Sequence, residues 1–273
     1  MATVAASSGR SEIDCLSGTP RAHALDRWIY VLSASLFVII VLIGFIPDSL
    51  MKIEMVKAGQ RAPFPPILHV HAVLMGSYLL FLLSQTWLVA TGRTGWHRTI
   101  GPIGGLLAIA LISVGFILAP TMYHQVADGL QAAPAQAKAP LEALLLRLDN
   151  ILLLQTQAGV LFGLFVALGL AARNRDPGFH KRMMIIAPAM ALGAAFARMP
   201  WIPQTIPDSP LSLQIYQMLA IAPLFAWDVM RNRRVHQAYI VLAAAYLPFA
   251  VAAHLLWDTP GWHATVKGMM GVA

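Results

Sequence analysis

Cysteine is nearly missing from this sequence: 273 residues hold one, Cys15. That excludes an intramolecular disulfide and any cysteine-held metal cluster. No apolar run precedes it in "SEIDCLSG", so a lipoprotein anchor is not expected there. Charge is scarce as well. Asp, Glu, Lys and Arg make up 11% of the chain, against about 25% in a soluble domain. No nucleophile motif, phosphate-cradling glycine loop or carboxylate pair occurs. The first apolar run begins only at Trp28, too far in for a secretory signal.

What fills the space is apolar. Hydrophobic residues make up 58% of the chain, and they fall in runs. A membrane helix needs ~20 mostly apolar residues. Seven stretches approach that: roughly 28–46, 68–90, 101–120, 148–172, 183–199, 211–230 and 237–256. The fold class expected is therefore all-α, a polytopic seven-helix transmembrane bundle over residues 28–256. Residues 1–27 form a polar tail before it, and 257–273 a short tail after it. The fifth stretch is the shortest.

Sidedness follows from the basic residues, which favour the cytoplasmic face. The N-terminal tail and the turns 91–100, 173–182 and 231–236 hold twelve of the 19 Lys and Arg, against four acids, or five with Asp228 just before the last turn. The opposite side holds seven of each, so the whole formal charge of +7 lies on one face. The N-terminus is expected in the cytoplasm and the C-terminus outside, in a bacterial inner membrane. Such a balance answers to anionic lipid headgroups rather than to nucleic acid.

Packing signals are those of a bundle. Gly159 and Gly163 form a GxxxG, and "APAMALGAAFA" is nearly all small residues, which lets helix backbones approach. Pro188, Pro223 and Pro248 predict kinks in the last three helices.

Polar residues inside spans are costly and point to function. His69 and His71 open the second helix behind "PFPP", Asn150 and Gln157 lie on the fourth, Arg198 ends the fifth and His254 ends the seventh. Convergence of His71, Asn150, Gln157 and Arg198 would make an outer pocket for a small polar or anionic ligand. Helix ends that merely touch water are the plainer reading. On a helix, residues i and i+2 point about 200° apart, so of the two histidines His71 is expected to face inward. Gln85, fourteen residues on, falls on the same face.

Two cofactor readings stay open. A haem or transition metal could sit between His71 and His254, with His69 beside them, although no histidine stands at Gln85 for a second haem. His97, His180 and His236 each open a helix in a basic turn, and three neutral imidazoles suit a metal ion. Their neighbours Trp96, Phe179 and Val235 equally suit a plain interfacial helix end.

"PPILHVHAVLMGSYLLFLLSQTWLVATGRTGWHRTIG" resembles a widespread family of bacterial polytopic membrane proteins without an assigned activity. "DPGFHKRMMIIAPAMALGAAFARMPW" and "RRVHQAY" match its next two landmarks, and the likeness runs over nearly the whole chain from about residue 28. More distantly, a His/Gln helix followed by an "HR" turn is similar to haem-binding membrane cytochromes, which implies a redox or electron-transfer role. Three classes of function follow: a cofactor-binding membrane protein, a carrier or receptor of a small polar or anionic ligand, and an accessory subunit of a membrane complex or a homo-oligomer.

Overall fold

The structure is a computed structural model that describes residues 14–17 and 23–272. Of the expected polar tail, residues 1–13 and 18–22 lie outside the described residues. After a 3-10 turn at Cys15–Ser17 the order is α1 (Ala24–Lys57), α2 (Pro66–Ala90), α3 (Thr94–Ala132), α4 (Ala135–Ala172), α5 (Pro177–Ala189), α6 (Gly193–Phe196), α7 (Leu211–Asn232), α8 (Gln237–Leu256) and α9 (Pro260–Met270). The described residues are mostly helical, with no strand among them.

Local chemistry sets the starts. Pro66, Pro177 and Pro260 stand at first helical positions, where the missing N–H costs nothing. Asp176 caps α5 by accepting from the Phe179 N–H at 2.8 Å. Thr259 caps α9 by accepting from the Trp262 N–H at 3.2 Å. The turn after α7 closes through Arg233 at φ 56°.

Among the described residues six helices are long and apolar enough to cross a membrane: α1, α2, α3, α4, α7 and α8. Three outrun their apolar stretches. α1 has 34 residues, α3 39 and α4 38, so each is over 50 Å long at about 1.5 Å per residue, beyond a hydrocarbon layer of ~30 Å. Residues 47–57, a connection by sequence, remain helical past Pro47 and carry Asp48–Lys52 and Glu54–Lys57 ion pairs one turn apart. Residues 257–273, expected as a tail, contain α9, which packs on the far ends of α3 and α4 through the fully buried Val266.

The fifth apolar stretch is not one span-length helix. α5 has 13 residues and ends just after Pro188, and the 4-residue α6 follows a turn. Pro188 breaks this helix rather than kinking it, whereas Pro223 and Pro248 lie within α7 and α8. Proline removes a backbone donor and crowds the preceding turn, and the small residues after it offer little side-chain packing to resume one. They offer close approach instead. A Cβ on Gly44 of α1 would collide with the Ala195 carbonyl, its carbon 2.9 Å away. α5 is the centre of the core: Met183, Ile185, Ile186, Ala187, Ala189 and Met190 are all buried, against α1, α4, α7 and α8. Gly159 and Gly163 of α4 face Phe116 and Ile112 of α3.

The helix ends gather in two groups. His23 to Asp26, Asp176 to Arg182 and Asp228 to Gln237 meet at one end, the basic end. Asp48, Arg198, Asp149 and His263 pair away from it, Asp48 and Asp149 within the long helices α1 and α4.

Candidate functional site

The interior of α2 carries a polar row. His71, Tyr78 and Gln85 recur every seven residues, so they share one face of the helix. Opposite runs α3, antiparallel, with small residues at the same interval: Gly115, Ala108 and Gly101. A Cβ on Gly115 would lie 3.7 Å from the His71 ring, and one on Gly101 would lie 3.8 Å from Gln85 Oε1. Tyr78 stands edge-on to Phe162 of α4, ring centres 5.1 Å apart. Tyr78 and Gln85 are 2% and 8% exposed, and His71 is half-buried. His71 Nδ1, the Tyr78 hydroxyl and both amide atoms of Gln85 are buried with no hydrogen-bond partner. An unpaired buried polar group costs several kcal/mol in an apolar medium, so three in one row mark a place built for something polar.

The other sequence-selected residues lie elsewhere. His69 is exposed and edge-on to Phe64. His254 is exposed on α8 and pairs with Gln214 Oε1 of α7 at 2.9 Å. α2 packs on α1 and α3, while α8 packs on α4, α5 and α7. The structure therefore does not bring His71 and His254 together as facing haem ligands.

Nor do Asn150, Gln157, Arg198 and Gln85 line one pocket. Asn150 is tied to Asp258, accepting from its N–H at 2.9 Å. Gln157 is buried on α4, where neither amide atom has a hydrogen-bond partner. Arg198 donates to Asp48 at 3.1 Å and stacks over Phe45 at 4.3 Å. Gln85 faces α3. Asn150 and Arg198 each found a partner on their own seam, while Gln85 and Gln157 face separate seams unpartnered, which spacing along one helix does not reveal.

Of the three basic-end histidines, two are neighbours. The His97 and His180 rings are 6.4 Å apart. His180 Nδ1–H donates to the Gly169 carbonyl at 2.8 Å, and His97 Nδ1 is buried without a partner. His236 is separately engaged. Its Nδ1 accepts from the Ala238 N–H at 3.1 Å, capping α8, and its ring lies on Phe179. Burial, with the Arg182 guanidinium nearby, holds it below the ordinary imidazole range. Among the described residues no group of three His, Cys, Asp or Glu side chains is placed to hold a metal ion. The three-imidazole site is therefore not assembled, because His236 is used as a cap.

Two clusters escaped the sequence. At the basic end Arg182 is fully buried and donates from Nε and Nη2 to Asp228, also fully buried. Its outer edge donates from Nη1 and Nη2 to Asp14 at 2.9 and 3.0 Å. Asn232 joins both carboxylates, and Arg231 and Trp227 bind the buried Asp26. At the opposite end His263 of α9 lies between Asp149, at 2.8 Å, and Asp258, at 3.2 Å. The available signal was Asp228 itself, an acid at the edge of an apolar run. Its partner Arg182 is 46 positions away in sequence, and the second acid on Arg182, Asp14, is 168 from that arginine; both pairings follow only from the fold.

Compared with known protein families, with curated proteins and with solved structures, the chain finds no match.

Proposed function

We propose that the protein is a multi-pass membrane carrier whose working element is the α2–α3 seam, a hydrated path for a small polar species, water and protons foremost. The observation that carries this is the row of unpartnered buried polar atoms on His71, Tyr78 and Gln85. Neighbours in the row are about 10 Å apart along the helix, too far for direct hydrogen bonds. Waters between them would satisfy each group, as buried polar groups require. Imidazole, phenol and amide all both donate and accept, so imidazole and phenol can pass a proton along such a chain while the amide orients the water that carries it. The His97–His180 pair stands at its basic end.

In this reading the broken α5–α6 segment completes a seventh pass, since it runs from Asp176 at the basic end to Arg198, which binds Asp48 far along α1. The basic end faces the cytoplasm of a bacterial inner membrane. The motifs quoted above keep kinship with the bacterial membrane family as part of the proposal.

The test is proton flux into proteoliposomes that enclose a pH-sensitive dye, driven by a potassium diffusion potential. The wild type is expected to exceed protein-free vesicles, and Gln85→Leu or His71→Leu to fall to their rate. Equal flux with and without protein overturns the reading. For sidedness, a cysteine at Arg175 in a Cys15→Ser background should resist an impermeant maleimide in intact cells, whereas one at His124 should react.

A histidine-held cofactor is the second reading, favoured by the free Nδ1 of His71 facing a glycine. A visible absorption band or bound metal that His71→Ala removes and His97→Ala leaves would establish it.

A further inference from the structure

Arg182 holds one carboxylate from the bundle and one from outside it. Asp228 belongs to α7 and occupies the inner edge of the guanidinium. Asp14 belongs to the short segment before α1 and occupies the outer edge as a two-pronged acceptor. Further donors gather around Asp14: Lys181 Nζ lies 3.2 Å from Oδ2, and Asn232 Nδ2 3.2 Å from Oδ1, beside the Leu16 N–H of its own segment at 3.1 Å. A Cβ on Gly178 would lie 2.9 Å from Oδ2, so the carboxylate seats directly against this glycine. Four donors from three side chains thus converge on two oxygens, the arrangement that recognises an oxyanion.

We propose that this is a binding site for a phosphate monoanion, and that the Asp14 carboxylate occupies it as a tethered stand-in. Without Asp14 the site holds Lys181 and Arg182 against Asp228, one net positive charge. One negative charge therefore balances it. Asp176, whose Oδ1 would lie 3.2 Å from a Cβ on Gly178, disfavours a dianion. A phosphodiester carries that single charge, as the headgroup linkage of a membrane lipid does, and so does dihydrogen phosphate. The exposed Arg173, Arg175, Arg233 and Arg234 at the same end would concentrate such anions. Binding of the anion displaces Asp14 and carries residues 14–17 off the bundle, uncovering Leu16, now buried in the core.

Cys15, half-buried on that segment and the only cysteine in the sequence, reports the exchange. Its maleimide labelling rate is measured on the full chain in detergent, with added phosphatidylglycerol, with inorganic phosphate, and with chloride at matched ionic strength. The rate should rise severalfold and saturably with the lipid, with phosphate, or with both; which one identifies the source of the anion. Asp14→Ala should label fast throughout and, by native mass spectrometry, retain the effective anion. Adding Lys181→Gln to Asp14→Ala should weaken that retention without touching the Arg182–Asp228 pair. A labelling rate indifferent to lipid and phosphate, or one that chloride raises equally, overturns the proposal, as does an Asp14→Ala protein that retains neither anion.

Discussion

Arg182 and Asp228, 46 positions apart in sequence and both fully buried, meet through two side-chain hydrogen bonds at the basic end of the bundle. Removing one partner of a buried pair leaves an uncompensated charge, at a cost of about 3–5 kcal/mol. Arg182→Met, which leaves the buried Asp228 carboxylate without its guanidinium, is expected to destabilise the protein by that amount in a denaturation titration. The exposed Lys57–Glu54 pair at the end of α1 is the contrast: Lys57→Ala should leave the midpoint unchanged, as exposed pairs commonly do.

The close approach of α1 to α6 predicts a second difference. Gly44→Ala drives a methyl group into the Ala195 backbone, and overpacking of this kind costs about 1–3 kcal/mol. Gly76→Ala on α2 meets nothing within 4 Å and should be neutral or stabilising, because alanine is the better helix former. Thermal unfolding of both variants in one detergent gives the comparison. A Gly44→Ala protein as stable as the wild type would mean that the two backbones are not in contact.

Docking of α9 rests on few contacts: Val266, the Trp262 indole N–H to the Asp149 carbonyl at 2.8 Å, and His263 between two aspartates. His263→Ala is expected to raise hydrogen exchange across residues 260–270 while α5 stays protected. Loss of protection in α5 as well would show that α9 is part of the cooperative core.

His236 gives the fold a pH dependence. Its capping nitrogen must be unprotonated to accept from Ala238, and burial with Arg182 nearby lowers its pKa. A lowered imidazole pKa contributes stability that is complete above the unfolded value of about 6.5. That contribution is lost as pH falls below it, toward the folded value. Arg182, Asp228, Asp14 and Asp176 are the charged groups that act on it. Stability should decline from pH 7 to pH 5, and His236→Asn, which caps without titrating, should flatten part of that decline. An unchanged profile would remove His236 from the account.

Much of this architecture was legible in the residues. Apolar runs located six helices, and the fourteen-residue spacing on α2 placed His71 and Gln85 on one face, without revealing Tyr78 between them. Helix ends were less legible, because residues 47–57 and 121–132 look like connections by hydropathy yet stay helical outside the apolar layer. At Pro188 the expected kink is a break, because proline predicts an interruption without saying whether the helix resumes beyond it. Least visible were the partnerships. Arg198 finds Asp48 and Asn150 finds Asp258, and each choice depends on which helices stand side by side.

The seven-residue row on α2, facing a seven-residue row of small residues on α3, also has a geometric consequence. An α-helix drifts ~20° per heptad relative to a strict seven-residue repeat, so the row from His71 to Gln85 winds through about 40°. Two helices that stay in contact along such rows must coil about each other with a left hand, crossing near 20°. Register then becomes a control. One residue inserted between Tyr78 and Gln85 would rotate Gln85 by about 100°, toward lipid, and leave His71 where it is. The upper and lower halves of the seam can thus be uncoupled by a change in length alone, with every side chain retained.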